Sequence, residues 1–102
     1  MKEPTNPTLA ELREMLTPIF ERNKVKKAAV FGSYARGDED YNDFDFIVEQ
    51  DENAGWLYFG LLGEMQDSLN KKIDIIDYSC LDNEPIQFRE NVIQDERVFY
   101  ES

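Results

Sequence analysis

The 102-residue chain contains no histidine and only one cysteine, Cys80. Without histidine it lacks the usual general base of neutral pH and the usual zinc ligand. Any general base must therefore be a carboxylate, a lysine or a tyrosine. A lone cysteine can form neither an internal disulfide nor a thiolate metal cluster. The composition thus excludes sites that are built on imidazole or on several thiolates.

Positive charge is scarce, with 11 basic against 22 acidic residues and a formal net charge of −11. Non-specific binding to nucleic acid needs a basic surface, so this balance argues against it. It favours a basic partner, or a nucleotide that arrives with its Mg²⁺. Acidic residues outside the motif described below could equally serve only to keep the protein soluble.

Long apolar runs are also missing. No stretch approaches the roughly 20 residues of a membrane span, and the N-terminus has no signal-peptide core. We therefore expect a cytoplasmic protein without a membrane partner. The length allows one small domain over residues 1–102, and we expect the polar, proline-containing residues 1–7 to be flexible.

The most informative segment begins where an apolar run ends at Gly32-Ser33. Asp43 and Asp45 follow about ten residues later and open a second apolar run. Because side chains in a strand alternate with a period of two, both carboxylates should point to the same face. Two like charges this close repel unless a divalent cation lies between them. The segment predicts a phosphate-binding turn beside a metal site, as phosphoryl or nucleotidyl transfer requires.

The remaining pattern predicts an α+β fold, a small mixed sheet flanked by about four helices. Strands are expected at 25–31, 43–49 and 72–78, and residues 97–100 form a short strand or an extended tail. Helices are expected from Thr8 with a kink or break at Pro18, over 54–70, and over 84–94 with Asn83 as its cap. For the turn and the aspartates to share a site, the first two strands must run antiparallel. The helix at 54–70 then brings the third strand back parallel to the second.

This arrangement brings a third carboxylate, Asp74, to the same end of the sheet. Three carboxylates suit a two-metal site, in which Asp43 and Asp45 bridge the ions. Asp74 would bind the catalytic ion and accept the proton of the attacking hydroxyl. Asp77 lies an odd number of positions away, so we expect it on the opposite face in a surface or capping role. The alternative is that acids at strand ends are simply solvated.

Three residues of the first turn are candidate phosphate ligands. Gly32 would allow close approach of the backbone, and Ser33 would bind a terminal phosphate through its hydroxyl and N–H. Arg36 could neutralise the triphosphate or the leaving pyrophosphate, or it could only pair with Asp38 or Glu39 on the surface.

The sequence Gly-Ser-Tyr-Ala-Arg-Gly at 32–37, followed by Asp-Phe-Asp at 43–45, resembles the signature of the DNA polymerase β-like nucleotidyltransferases. More narrowly, it is similar to the minimal nucleotidyltransferases that form the antitoxin half of HEPN/MNT toxin–antitoxin pairs. The resemblance covers nearly the whole chain, including the Lys-Ile-Asp-Ile-Ile strand at 72–76 and the Arg-Val-Phe-Tyr ending at 97–100.

The resemblance implies the polymerase β-like fold, with Mg²⁺ at Asp43, Asp45 and Asp74 and nucleotide phosphates at Gly32 and Ser33. It also implies transfer of AMP from ATP to a hydroxyl, in these pairs a tyrosine of a HEPN ribonuclease toxin. Two departures concern the loop: Asn42 stands where relatives usually have serine, and the segment after Gly37 is about one residue shorter.

Two other functions stay open. A binding module could block the toxin by occlusion, with its acidic surface imitating RNA in front of a basic ribonuclease. Superfamily analogy also allows transfer to a small molecule such as an aminoglycoside, although the short chain offers no extra domain for such an acceptor. A homo-oligomer is compatible with any of these functions.

Overall fold

The computed structural model describes residues 8–32, 35, 43–53, 57–70 and 72–101, with the side chains at 43, 57 and 58 outside the description. The elements follow one another as α1 (Leu9–Arg22), β1 (Val25–Phe31), β2 (Asp43–Gln50), α2 (Leu57–Leu69), β3 (Lys72–Asp77), a 3₁₀ helix (Tyr78–Asn83), α3 (Ile86–Asp95) and β4 (Arg97–Glu101). Of the two alternatives for residues 97–100, a short strand or an extended tail, the strand is present, and the α+β prediction is confirmed.

Helix α1 begins as its sequence predicts. The Thr8 hydroxyl accepts from the N–H of Glu11 at 3.1 Å, and the Glu11 carboxylate accepts from the N–H of Thr8 at 2.8 Å. These two bonds satisfy backbone donors that a helix start otherwise leaves free. Pro18 lies inside a single helix, so of the two predicted alternatives, a kink or a break, the break is wrong. Burial of Leu16, Ile19 and Phe20 on both sides of the proline holds the helix together.

The four strands form one mixed sheet in the order β3-β2-β1-β4. β1 and β2 are antiparallel, and β2 and β3 are parallel, as the shared-site argument predicts. Helix α2 makes the crossover between the two parallel strands, which a connection of this kind requires. β4 then pairs antiparallel with the free edge of β1. The topology places the end of β1, the start of β2 and the start of β3 at the same end of the sheet, with β2 between the other two strands.

The two faces of the sheet are packed differently. One face, which we call the aromatic face, carries Phe44 and Phe46 of β2 and is covered by α1 and α2. The other, which we call the acidic face, carries Asp45 and Ile47 of β2. Among the residues that the structure describes, the fully buried cluster on this face is small and consists of Ala29, Ile47 and Val92, with Val92 supplied by α3.

A buried asparagine joins three elements on the aromatic side. Asn23 is 3% exposed, and its side-chain amide donates to the Ile19 carbonyl and to Glu64 Oε1, both at 2.8 Å. The Gln50 amide in turn donates to the Asn23 carbonyl at 2.9 Å. Because a buried amide must be hydrogen-bonded, these contacts fix the end of α1 against α2 and the end of β2.

The predicted start of the last helix and its predicted N-cap both differ from the structure. It begins at Ile86 rather than Glu84, and Pro85 rather than Asn83 is its N-cap, without a side-chain capping bond. Asn83 instead ends the 3₁₀ helix, a turn that the sequence pattern did not predict. The prediction for Asp77 is confirmed, because its carboxylate caps that 3₁₀ helix by accepting from the Ser79 N–H at 2.8 Å. Among the described helices, none combines the length and the apolar character that crossing a membrane would need.

Candidate active site

Two of the three predicted carboxylates come from neighbouring positions on adjacent strands. Asp45 of β2 and Asp74 of β3 are register partners in the parallel pair. Partners of this kind project from the same face of a sheet, here the acidic face. Asp45 is half-buried and Asp74 is exposed. The structure therefore brings Asp45 and Asp74 together on the accessible end of one face, as the sequence predicts.

Asp43 lies one alternation earlier on β2, where its backbone pairs with Lys72. Its side chain lies outside the described residues, so its predicted role as a metal ligand stays a prediction. Ser33 and Arg36 also lie outside the described residues, so their predicted binding of the nucleotide phosphates stays a prediction. The loop at Asn42 lies outside the description as well. Among the side chains that the structure does describe, no group of three His, Cys, Asp or Glu residues could hold a metal ion.

Gly32 closes the site from the β1 side. Phe31, the last residue of β1, is the register partner of Asp45, so the chain turns at Gly32 directly beside that carboxylate. Gly32 has φ +76°, a left-handed conformation that favours glycine. A Cβ there would also lie 3.3 Å from Asp45 Cγ and collide with Oδ2. Only glycine lets the backbone turn this close to the acidic pair.

The donor set fits a hard divalent cation. Carboxylate oxygens from two adjacent strands, with a backbone turn against one of them, are the kind of ligand that Mg²⁺ accepts. Asp45 and Asp74 are therefore candidate ligands on structural grounds, and Gly32 is a candidate for close approach to a phosphate. The arrangement suits binding a metal–nucleotide complex at the open end of the acidic face.

Tyr78, another possible base in a chain without histidine, is not suited to that role. Its hydroxyl donates to Glu96 Oε2 at 2.7 Å. Burial, together with the Glu96 hydrogen bond, raises the pKa of the Tyr78 hydroxyl well above its ordinary value. The group therefore keeps its proton at neutral pH, and it follows the far end of β3 from Asp74. Tyr78 is therefore not a candidate proton acceptor at this site.

Sequence reasoning missed two contacts near this end of the sheet. Arg97, the first residue of β4, donates from Nε to the Ala35 carbonyl at 2.8 Å. Phe88 of α3 packs edge-on against Phe31, with ring centroids 6.1 Å apart. Both contacts join segments more than 50 residues apart, so no local spacing could have revealed them. The next residue on α3, Arg89, has a buried Nε without a hydrogen-bond partner within the described part of the chain.

The amino-acid sequence matches proteins whose family name agrees with a site that binds a metal–nucleotide complex. Residues 14–102 match the family described as "Polymerase beta, Nucleotidyltransferase". A putative protein adenylyltransferase of Methanocaldococcus jannaschii is 40% identical over 75 residues, which cover 68% of this chain and 87% of the relative.

Solved structures share the fold. A putative minimal nucleotidyltransferase matches with TM-score 0.66 and 26% identity, over 84% of this chain and 87% of that one. A chain from the complex of a tri-AMPylated Shewanella oneidensis HEPN toxin with an MNT antitoxin matches with TM-score 0.60 over 93% of this chain and 74% of that one. At 17% identity the second likeness concerns the fold alone. The chain belongs to the polymerase β nucleotidyltransferase family.

Proposed function

We propose that the chain transfers AMP from MgATP to a tyrosine hydroxyl of a HEPN-type toxin and so acts as its antitoxin. The observation that carries the proposal is the pairing of Asp45 with Asp74 on one face, next to a turn that only glycine can make. Nucleotidyl transfer needs charge stabilisation and positioning more than covalent chemistry. The site offers acidic oxygen ligands and a close backbone in one place.

Each proposed residue has a distinct role. Asp43, Asp45 and Asp74 would hold Mg²⁺, as two ions, which when bound offset phosphate charge and make the acceptor hydroxyl easier to deprotonate. Gly32, Ser33 and Arg36 would bind the nucleotide phosphates. Asp74 would accept the proton of the attacking hydroxyl, because the chain has no histidine to do so.

The partner is proposed from similarity and charge. The Methanocaldococcus relative is named as a putative protein adenylyltransferase, and the Shewanella complex contains an AMPylated HEPN toxin. A net charge of −11 favours encounter with a basic protein. The partner would present the acceptor hydroxyl. We expect this reaction to take place in the cytoplasm.

The test first establishes whether an adjacent reading frame encodes a HEPN-type protein. That protein is then analysed by intact-mass spectrometry after incubation with this chain and MgATP. We expect an added AMP on a tyrosine of that protein. Asp45→Asn and Asp74→Asn should each lower the rate at least about 100-fold, because each removes a proposed metal ligand. Addition of EDTA should stop the reaction.

Asp77→Asn is the matched control, because it changes an acid on the same strand as Asp74 that only caps the 3₁₀ helix. It should transfer AMP at nearly the wild-type rate. Circular dichroism would establish that all three variants are folded. An unmodified partner with folded wild-type protein, or equal losses in D74N and D77N, would refute the proposed activity.

Occlusion of the toxin is the second candidate function. It is favoured by the acidic excess, which is 22 acidic against 11 basic residues. In this case the chain would cover the ribonuclease surface and the nucleotide site would be idle. Asp45→Asn separates the two functions: a variant that still neutralises the ribonuclease without modifying it supports occlusion. A variant that leaves the ribonuclease active supports AMP transfer as the mechanism.

A further inference from the structure

The guanidinium of Arg97 is hydrogen-bonded to the backbone of residues 32–36, which we call the signature segment. Its Nε donates to the Ala35 carbonyl at 2.8 Å, across 62 residues of sequence. Arg97 opens β4 and is the register partner of Val30, two residues before Gly32. The C-terminal strand therefore reaches the segment from which the proposed phosphate ligands come.

Ala35 is held from two sides. Its side chain is 5% exposed and belongs to the core of the aromatic face, while its carbonyl accepts from Arg97. Gly32 directly follows β1, whose last residue is paired with β2, and it lies against the Asp45 carboxylate. Only two residues connect these anchors, and two residues can span about 10 Å from one anchor to the other. The Arg97 bond thus fixes the Ala35 carbonyl, three positions along the chain from Gly32.

We propose that Arg97 is a positioning residue for nucleotide binding, and that it acts through its hydrogen bond to Ala35 rather than through its charge. This inference rests on the proposed function, because it assumes that the Gly32–Arg36 segment binds the nucleotide phosphates. Loss of the bond would leave a part-buried carbonyl without its donor and release one anchor. Nucleotide affinity would fall while the carboxylates on β2 and β3 stayed in place.

The chain allows a matched pair of variants at this position. In Arg97→Gln the side-chain amide nitrogen occupies the same place along the side chain as Arg Nε, so a donor remains while the charge is lost. In Arg97→Met the side chain keeps a similar length but has neither donor nor charge. The pair therefore separates the hydrogen bond from the charge.

We expect R97M to raise KM for MgATP about tenfold, with kcat within about twofold of wild type, since the loss of one such bond corresponds to roughly a factor of ten. R97Q should keep KM within about twofold. Wild-type KM in R97M, or equal increases in R97Q and R97M, would overturn the inference. Melting temperatures of both variants would show whether general destabilisation accounts for a change.

A second readout does not depend on catalysis. Trypsin should cleave the Arg36–Gly37 bond faster in R97M than in R97Q or wild type, because one anchor of the segment is gone. If wild type transfers no AMP but R97M is cleaved faster, the proposed function fails and the anchor stands. If wild type is active and the three proteins are cleaved equally, the anchor fails and the proposed function stands.

Discussion

The two faces of one strand serve different purposes in this protein. Along β2 the side chains alternate between the aromatic face, where Phe44 and Phe46 are fully buried, and the acidic face, where Asp45 meets Asp74. Phe46 lies 5.7 Å from Phe44 and 5.9 Å from Phe99, measured between ring centroids. The fold can tolerate two adjacent carboxylates on one face because the opposite face supplies most of the apolar burial.

The largest expected effect is on stability, from the aromatic face. Phe46→Ala should lower the free energy of unfolding by about 3–5 kcal/mol, because it removes a fully buried ring and leaves a cavity. Asp45→Asn, its neighbour on the acidic face, should change that free energy by less than about 1 kcal/mol. Urea denaturation followed by circular dichroism measures both.

Phe46→Leu should give an intermediate loss and keeps the comparison measurable if Phe46→Ala does not fold. Equal losses of stability in Phe46→Leu and Asp45→Asn would show that the two faces are not divided between packing and chemistry.

The second expected effect is on activity, from the turn that closes the acidic face. Gly32→Ala should lower AMP transfer by about 100-fold, because a Cβ collides with the Asp45 carboxylate and the φ of +76° becomes strained. Gly63→Ala is the control, since its Cβ would meet no other atom within 4 Å. That change in the middle of α2 should stabilise the protein by about 0.5–1 kcal/mol with normal activity.

Kinetic assays with purified variants, each verified as folded, make this comparison. Normal transfer by Gly32→Ala would show that the close approach of the turn to Asp45 has no catalytic importance.

The smallest expected effect concerns alkaline pH, at the end of the acidic face away from Asp45. Because the folded state raises the Tyr78 pKa, the folded protein keeps this proton above about pH 10 while the unfolded chain loses it. Stability from this group is therefore complete below about pH 10 and declines as the pH rises further. Tyr78→Phe should show a smaller decline in the free energy of unfolding between pH 9 and pH 11.

Urea titrations of both proteins at the two pH values give this difference, and the other tyrosines contribute equally to each. Parallel declines in wild type and Tyr78→Phe would mean that burial and the Glu96 contact do not affect ionisation in the folded state.

Local patterns predicted most elements well. The Thr8–Glu11 capping box marked the start of α1, and the predicted bounds of β1, Val25–Phe31, match the structure. The requirement that turn and aspartates meet also gave the strand directions. The predicted start of α3 was wrong because Asn83 has the residue type of a helix cap but belongs to the 3₁₀ helix. The pattern of apolar residues does not reveal that turn.

The candidate site was predictable only in part. Asp45 and Asp74 could be singled out because acids beside apolar strand residues break a local expectation. Gly32 could be singled out only jointly with them, because a glycine at a strand end is common. Arg97 could not, because an arginine at the start of a strand is ordinary until the fold brings it to Ala35.

The alternation of phenylalanine and aspartate along β2 follows from the order of the residues alone, and with it the division between the aromatic face and the acidic face. Side-chain direction in a strand depends only on the period of two, so it can be assigned without knowledge of the neighbouring strands. The shared register of Asp45 and Asp74, and the hydrogen bond from Arg97 to Ala35, arise only when the whole chain is folded. Such contacts depend on how distant strands align, which is fixed by packing of the whole sheet rather than by any local segment.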